Sequence, residues 1–355
     1  MLSPVRPSPF PGVRQRNLSP PRFPFSSAST QLYPCDVKTR DAYANMDVAG
    51  YNYGIKRYRH DLKKYPNRII LGSETFCADA YKFIEMAKEE PRIIGDFVWA
   101  GMDYLGEVGI GSWEYKEYAK RFDNGPGWVS AGSGRIDLTG KPLAELTYTK
   151  VAFGLEKIGI GVVPVHYAHE AHSPSAWKMS NAIESWSFEG CEGKKTSVEV
   201  YARAHHVSLY VNGEYVGTKN IKKDCKTNFH VAYHSGELKA VSYDENNCKI
   251  AEKILKTADA ETRLTLAPEQ EIVREDDLVY IRMKYTDFEG EWKPMIRGSI
   301  RVTVEGGKIL GIGSACPYYE RSYHGDTADT YYGEAMVIVK PDTAKELFVK
   351  AESPY

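Results

Sequence analysis

The sequence predicts a multidomain protein in which an α/β region precedes two all-β domains. Between residues 47 and 157, short apolar runs alternate with segments of helical periodicity, a pattern typical of parallel strands joined by helices. After residue 165 the helical periodicity ends, and apolar and polar residues alternate with a period of two. A chain of 355 residues is long enough for two or three domains of ordinary size.

Three predicted strands and two predicted helices make up the start of the α/β region. The strands are expected at residues 48–53, 68–73 and 93–99, where apolar residues are concentrated. Each helix is indicated by apolar residues at spacings of three and four, and the first ends before Pro66. These residues are Ile55, Tyr58, Leu62 and Tyr65 in the first helix, and Ala80, Phe83, Ile84 and Ala87 in the second.

The all-β part is predicted to form two immunoglobulin-like β-sandwiches, at residues 165–256 and 262–350. In the first, an alternating strand runs into Asn212-Gly213, a dipeptide that strongly favours a two-residue hairpin. In the second, alternating apolar residues at 279–285 and 300–304 precede Gly306-Gly307. Residues 257–261 are expected to link the two sandwiches.

Residues 1–40 are expected to form a disordered leader rich in proline, serine and arginine. Residues 1–34 contain no acidic residue and bury too little apolar surface to offset the entropy of ordering the chain. A proline-rich recognition arm is the functional alternative.

Charge and composition exclude several classes of function. Forty-six basic and 47 acidic residues give a net charge of −1, which offers no electrostatic basis for binding nucleic acid or an anionic membrane. No apolar run is long enough to cross a bilayer, and no secretory signal is visible, so we expect a cytoplasmic protein. Six widely spaced cysteines are expected to be reduced. We expect no cofactor and no metal site.

Candidate functional residues follow from where parallel strands end, because their carboxyl-terminal loops converge on one face. The first strand ends in Tyr51-Asn52-Tyr53, the second in Glu74, and the third in Trp99, followed by Asp103. A glutamate at the end of an apolar strand must be paired or serve a chemical purpose. Both a catalytic role and a structural ion pair remain open for Glu74.

Four sequence blocks resemble the last third of the catalytic barrel of glycoside hydrolase family 2, in its β-galactosidase branch. They begin at Asp47, Tyr65, Gly72 and Gly95, and read DVAGYNY, YPNR, GSET and GDFVW, the last continuing into DYLGE. The later strands resemble the accessory sandwiches of the same enzymes. The resemblance implies that residues 41–157 are strands 6–8 of a TIM (β/α)8 barrel, ahead of the two sandwiches.

The resemblance also implies roles for the residues at the strand ends. Glu74 matches the nucleophile that attacks the anomeric carbon in retaining glycoside hydrolysis. Tyr53 matches a tyrosine beside that nucleophile, and Trp99 a wall of the sugar subsite. With Asn52 and Asp103, these are our candidate substrate-binding residues. Core packing is the alternative for Trp99, and a shift of one residue in register would replace Tyr53 by Tyr51 or Asn52.

One departure from the family pattern affects the expected activity. A retaining glycosidase needs a second carboxyl group as general acid/base, and in this family it precedes the nucleophile. No glutamate precedes Glu74 in this chain. We therefore expect a fragment of a β-galactosidase-type enzyme, inactive or weakly active alone, whose partners are a carbohydrate substrate and either the missing part of the barrel or a second copy. β-Glucuronidase or β-mannosidase activity and a non-catalytic carbohydrate-binding or interaction role are the alternatives.

Overall fold

The computed structural model describes residues 28–123, 125–175, 177–274, 277–342 and 346–355. Residues 1–27, most of the predicted leader, lie outside this range. The remainder of the leader is helical, in α1 (Ala28–Tyr43), so the prediction of disorder is wrong for residues 28–40. Proline is frequent only up to residue 24, and Pro34 is the single proline in α1. The composition therefore changes inside the predicted leader, and its last part has the composition of a helix.

A three-stranded parallel sheet forms the first part of the following region. Its strands are β1 (Ala49–Asn52), β2 (Ile70–Thr75) and β3 (Ile93–Val98), in the order β1-β2-β3. A short 3₁₀ turn leads into α2 (Tyr58–Lys64) after β1, and another leads into α3 (Ala80–Glu89) after β2. All three predicted strands and both helices are therefore confirmed, with shifts of up to three residues at their ends.

A buried ionic group fixes α2 against the sheet. The carboxylate of Asp61, which is fully buried, accepts hydrogen bonds from the Tyr51 hydroxyl (2.8 Å) and the Arg57 guanidinium (2.8 Å). Arg68 donates to the same phenol at 3.0 Å. A buried charge with several donors is far less costly than an unpaired one. This group directs the Tyr51 side chain toward α2.

The chain then crosses an irregular stretch to α4 (Ala144–Ala152). One face of α4 is buried by residues from the sheet region and from the first sandwich. Tyr148 and Val151 are fully buried there, and the Tyr148 hydroxyl donates to Asp224 at 2.9 Å. The helix therefore joins the two regions through a shared apolar cluster.

The first sandwich consists of a three-stranded and a four-stranded antiparallel sheet, in the orders β4-β5-β8 and β10-β9-β6-β7. It begins at β4, seven residues before the predicted boundary at 165. The Asn212-Gly213 hairpin is confirmed, with φ values of 51° and 80° that suit a type I′ turn. The strands are β4 (Ile158–Val162), β5 (Lys195–Ala202), β6 (His206–Val211), β7 (Glu214–Asn220), β8 (Lys226–Ala232), β9 (Glu237–Tyr243) and β10 (Lys249–Lys256).

The second sandwich pairs a four-stranded sheet, β11-β12-β16-β14, with a three-stranded sheet, β15-β13-β17. The alternating residues of the sequence face inward, with Val279, Met283 and Ile300 buried between the sheets. The strands are β11 (Arg263–Pro268), β12 (Val279–Thr286), β13 (Ser299–Glu305), β14 (Gly307–Gly313), β15 (Thr327–Asp329), β16 (Glu334–Pro341) and β17 (Phe348–Glu352).

The sheet region and both sandwiches belong to one compact unit, Val48–Tyr355, and the described residues up to Asp47 belong to a second unit. An aromatic cluster joins the irregular stretch after β3 to the second sandwich, with Tyr118 and Trp128 packed near Trp292, Tyr318 and Tyr332. Within the described part of the chain, no helix is both long and apolar enough to cross a bilayer. All six cysteines are free thiols.

Candidate active site

Glu74 lies at the carboxyl end of the central strand β2, where the neighbouring strands also end. It pairs in register with Asn52 of β1, and its carbonyl oxygen accepts the Tyr53 backbone N–H at 2.6 Å. The side chain is half-buried, so it is partly shielded and still accessible to a ligand. The next residue, Thr75, accepts the Trp99 backbone N–H at 3.0 Å. Backbone hydrogen bonds thus hold all three strand ends together.

Tyr53 lies beside Glu74 at this edge of the sheet, through the backbone hydrogen bond between them. Its backbone φ of 52° is uncommon for a residue other than glycine and often marks a functional position. Burial raises the pKa of the phenol to about 12, the indole N–H of Trp177 lowers it, and the nearby Glu74 carboxylate raises it. The structure thus brings Tyr53 next to Glu74, and the predicted contact of Tyr53 with substrate stays a prediction.

The other residues of the first strand end have different environments. Tyr51 is buried against Asp61 and Arg68. Asn52 is exposed, and its side-chain oxygen accepts the Ser73 hydroxyl at 2.8 Å. Asn52 is therefore near Glu74 along the sheet and accessible to a ligand, as a substrate-binding residue must be.

Trp99 forms a second aromatic group at this edge. Its indole N–H donates to the Tyr104 hydroxyl at 3.1 Å, with the rings edge to face. Tyr104 in turn donates to the Glu107 carboxylate. Charge on Tyr104 also raises the pKa of Tyr53, which places the two phenols near each other. Trp99 is half-buried at the edge of the candidate site, and its predicted role as a wall of the sugar subsite stays a prediction.

Asp103 belongs to a different environment from the other predicted residues. It is 8% exposed, accepts the Ser133 backbone N–H at 3.2 Å, and lines a cavity of about 50 Å³. The same cavity is lined by Glu114, Asp137, Glu145 and Lys178. Its burial among these charges indicates a structural role, and its predicted contact with substrate stays a prediction.

Electrostatic coupling in this charged cavity is strong. Burial raises the pKa of Glu114 to about 7, partly opposed by a hydrogen bond of 2.5 Å from Tyr331. Burial lowers the pKa of Lys178, but the surrounding carboxylates, Glu145 first, outweigh it and raise the pKa above its usual range. The carboxylates and the ammonium group thus stabilise one another in the interior.

Trp177 is the site residue that sequence analysis missed. It lies in the segment between β4 and β5, and its indole N–H donates to the Tyr53 hydroxyl at 2.7 Å. Phe76 packs on the same phenol at a centroid distance of 4.3 Å. No periodicity marks Trp177, and 124 residues separate it from Tyr53. No local signal in the sequence connects the two residues.

Comparison with known proteins gives two family matches in the all-β part. Residues 193–251 match a domain of unknown function (DUF4982), and residues 264–355 match glycoside hydrolase family 2 C-terminal domain 5. A solved structure of a glycosyl hydrolase family 2 member from Bacteroides cellulosilyticus is 28% identical with a TM-score of 0.79, and covers 89% of this chain. Residues 264–355 thus match a C-terminal domain of glycoside hydrolase family 2, and the chain is similar to the C-terminal portion of enzymes of that family.

Two further proteins are similar to this chain. The β-galactosidase BoGH2A of Bacteroides ovatus is 24% identical over 266 residues, which is 73% of this chain. A second structure from Bacteroides cellulosilyticus, strain DSM 14838, is 27% identical, has a TM-score of 0.73 and covers 89% of this chain. The matched proteins are glycoside hydrolases. The chain spans 27% of the length of BoGH2A, and 42% and 40% of the two structures.

Proposed function

We propose that this chain supplies the nucleophile half of a retaining glycoside hydrolase site of β-galactosidase type. The observation that carries the proposal is the placement of Glu74, half-buried at the end of the central parallel strand and coupled to Tyr53. The match to BoGH2A supports a terminal β-D-galactoside as substrate. We further propose that β1, β2 and β3 are strands 6, 7 and 8 of a (β/α)8 barrel, with the strand ends forming the floor of the sugar site.

In the proposed reaction, the Glu74 carboxylate attacks the anomeric carbon of the sugar. A new bond forms between that carbon and a carboxylate oxygen as the bond to the leaving-group oxygen breaks. Water then attacks the same carbon and loses a proton to solvent as the bond to Glu74 breaks, which restores the carboxylate, and the two inversions together retain the configuration. Trp99 provides an apolar wall for the sugar ring, and Asn52 a polar contact to its hydroxyls.

The leaving group of the substrate determines whether this chain can hydrolyse a glycoside without a general acid. A natural aglycone alkoxide requires protonation by a general acid, which we assign to the remainder of a complete barrel. That remainder, on the same polypeptide or a separate chain, is therefore the proposed partner. Dinitrophenolate leaves without protonation, so dinitrophenyl β-galactoside tests the nucleophile alone.

The test compares hydrolysis of this substrate by the full chain, by Glu74→Gln and by a matched control. Glu89→Gln makes the same chemical change at an exposed ion pair of α3, with Arg59. We expect hydrolysis by the unaltered chain and Glu89→Gln, and a loss of at least 100-fold in Glu74→Gln. Equal background rates for all three would show that the chain does not act as a glycosidase. Faster hydrolysis of the β-glucuronide or β-mannoside would instead reassign the sugar.

A further inference from the structure

Trp177 reaches the candidate site from the segment that joins the first two strands of the first sandwich. We refer to residues 163–194, between β4 and β5, as the connecting segment. The indole N–H donates to the Tyr53 hydroxyl at 2.7 Å, and the two rings meet edge to face with their centroids 6.5 Å apart. Trp177 is half-buried, so this donor is partly shielded from water.

Hydrogen bonds on the N-terminal side of Trp177 hold the connecting segment in place. The Ser173 hydroxyl donates to the Ser112 carbonyl at 3.0 Å and accepts the Glu114 backbone N–H at 2.8 Å. The Ser175 hydroxyl donates to the Gly111 carbonyl at 2.7 Å. These bonds attach the segment to the stretch after β3, which carries Trp99 and Tyr104. The position of Trp177 is therefore fixed relative to the strand ends.

The chemistry of an indole determines the direction of the hydrogen bond. An indole nitrogen can only donate, so the Tyr53 oxygen must act as the acceptor toward Trp177. The phenol's own proton is then free for another acceptor, and the nearby Glu74 carboxylate is an acceptor that carries charge. Phe76 packs on the phenol ring and restricts its rotation.

We propose that Trp177 is a positioning residue of the candidate site, which orients the Tyr53 hydroxyl so that it donates to Glu74. The proposal rests on the function proposed above. It adds that the connecting segment contributes a residue, Trp177, to the surroundings of Glu74. Negative charge returns to Glu74 as water releases the sugar. A phenol held as a donor stabilises that charge, so Trp177 acts mainly on the second step of the reaction.

The first test measures the hydrogen bonds without requiring activity. Indole ¹⁵N–¹H spectra of the full chain give one resonance for each of six tryptophans, and Trp177→Phe identifies that of Trp177. We expect Tyr53→Phe to move this resonance upfield and to speed its exchange with solvent, and Glu74→Gln to shift it through the Tyr53 hydroxyl. Tyr104→Phe is the matched control, because it removes the acceptor of Trp99 and leaves that of Trp177. An unmoved Trp177 resonance in Tyr53→Phe or in Glu74→Gln overturns the proposal.

The second test is kinetic and uses dinitrophenyl β-galactoside. Slower release of the sugar lowers kcat and KM together, because the glycosyl-enzyme accumulates. We expect a decrease of about tenfold in both for Trp177→Phe, the size of one lost hydrogen bond in a charged network, with kcat/KM nearly unchanged. Trp177→His keeps a ring N–H and should recover part of kcat. A decrease in kcat/KM alone would contradict the proposed step.

The two proposals fail in different ways. If the chain and Glu74→Gln hydrolyse at the same background rate, the proposed function is wrong, whatever the spectra show. If hydrolysis depends on Glu74 and the Trp177 resonance does not move in Tyr53→Phe or in Glu74→Gln, the proposed function stands and the positioning role is wrong.

Discussion

The parallel sheet region and the sandwiches differ in how completely they bury their own apolar surface. In the first sandwich, Trp186, Val200 and Leu209 are fully inaccessible to solvent. In the sheet region, Ile94 and Phe97 of strand β3 remain 56% and 63% exposed. The sandwiches thus have complete cores, whereas the sheet region presents apolar side chains along an outer strand. The candidate catalytic residue lies in the region with the less complete core.

Truncation of the first sandwich core should give the largest effect on stability. Trp186 packs against Phe188 and Tyr233, and its indole N–H donates to the His234 carbonyl at 2.9 Å. Trp186→Ala should lower the free energy of unfolding by about 4 to 5 kcal/mol, because it removes a large buried side chain and its hydrogen bond. Urea unfolding followed by circular dichroism measures the change. A loss below about 1 kcal/mol would show that this core is not as well packed as described.

The buried ionic group of the sheet region should give the next largest effect. Asp61→Asn keeps the shape of the side chain and removes the charge that faces Arg57 and Arg68. We expect a loss of about 3 to 4 kcal/mol, because the substitution removes one charged partner of a buried ion pair. Hydrogen exchange of the β1 and β2 amides should increase more than that of β12 and β16. Equal increases in both regions would mean that they unfold as a single cooperative unit.

The charged cavity should make stability depend on pH. The pKa of Glu114 is about 7 in the folded chain against an ordinary value of 4.5, with burial as the main cause. Its contribution to stability is therefore fully present below about pH 4.5 and is lost as the pH rises through 7. Relative to Glu114→Gln, the unaltered chain should lose roughly 3 kcal/mol over this window. Urea unfolding at a series of pH values measures the difference, and a flat difference would contradict the assignment.

Substitution on the exposed outer strand should give the smallest effect on stability. Phe97→Ser should change the free energy of unfolding by less than about 0.5 kcal/mol, because the side chain is mostly exposed already. The same variant should reduce self-association at high protein concentration, measured by sedimentation velocity. Ser208→Ala in the first sandwich, which truncates a buried side chain away from this surface, is a control for which no change in association is expected. A destabilisation of several kcal/mol in Phe97→Ser would show that Phe97 is covered in solution.

The sequence predicts the elements of this fold well where the signal is local. Helical spacing identified α2 and α3, and the Asn212-Gly213 turn identified a hairpin, because these patterns depend on neighbouring residues. The strand β4 precedes the predicted sandwich boundary at residue 165, although it pairs with β5 of the first sandwich. It is buried along its whole length and rich in glycine, so it lacks the alternation of a half-buried strand.

The candidate site was predictable only where the strand ends define it. Glu74, Tyr53, Asn52 and Trp99 follow from the rule that parallel strands bring their carboxyl ends together. Asp103 continues the same stretch, but the chain turns inward there and buries it. Trp177 is brought to Tyr53 by tertiary packing across 124 residues, which local patterns do not encode.

The central claim, that Glu74 is a glycosidase nucleophile, is tested most directly by trapping the covalent intermediate. Incubation with dinitrophenyl 2-deoxy-2-fluoro-β-galactoside allows the first step and slows release of the sugar. Mass spectrometry of the intact chain should show one added fluorosugar, and peptide mapping should place it on Glu74, with none on Glu74→Gln. No adduct, or an adduct on another residue, would contradict the claim.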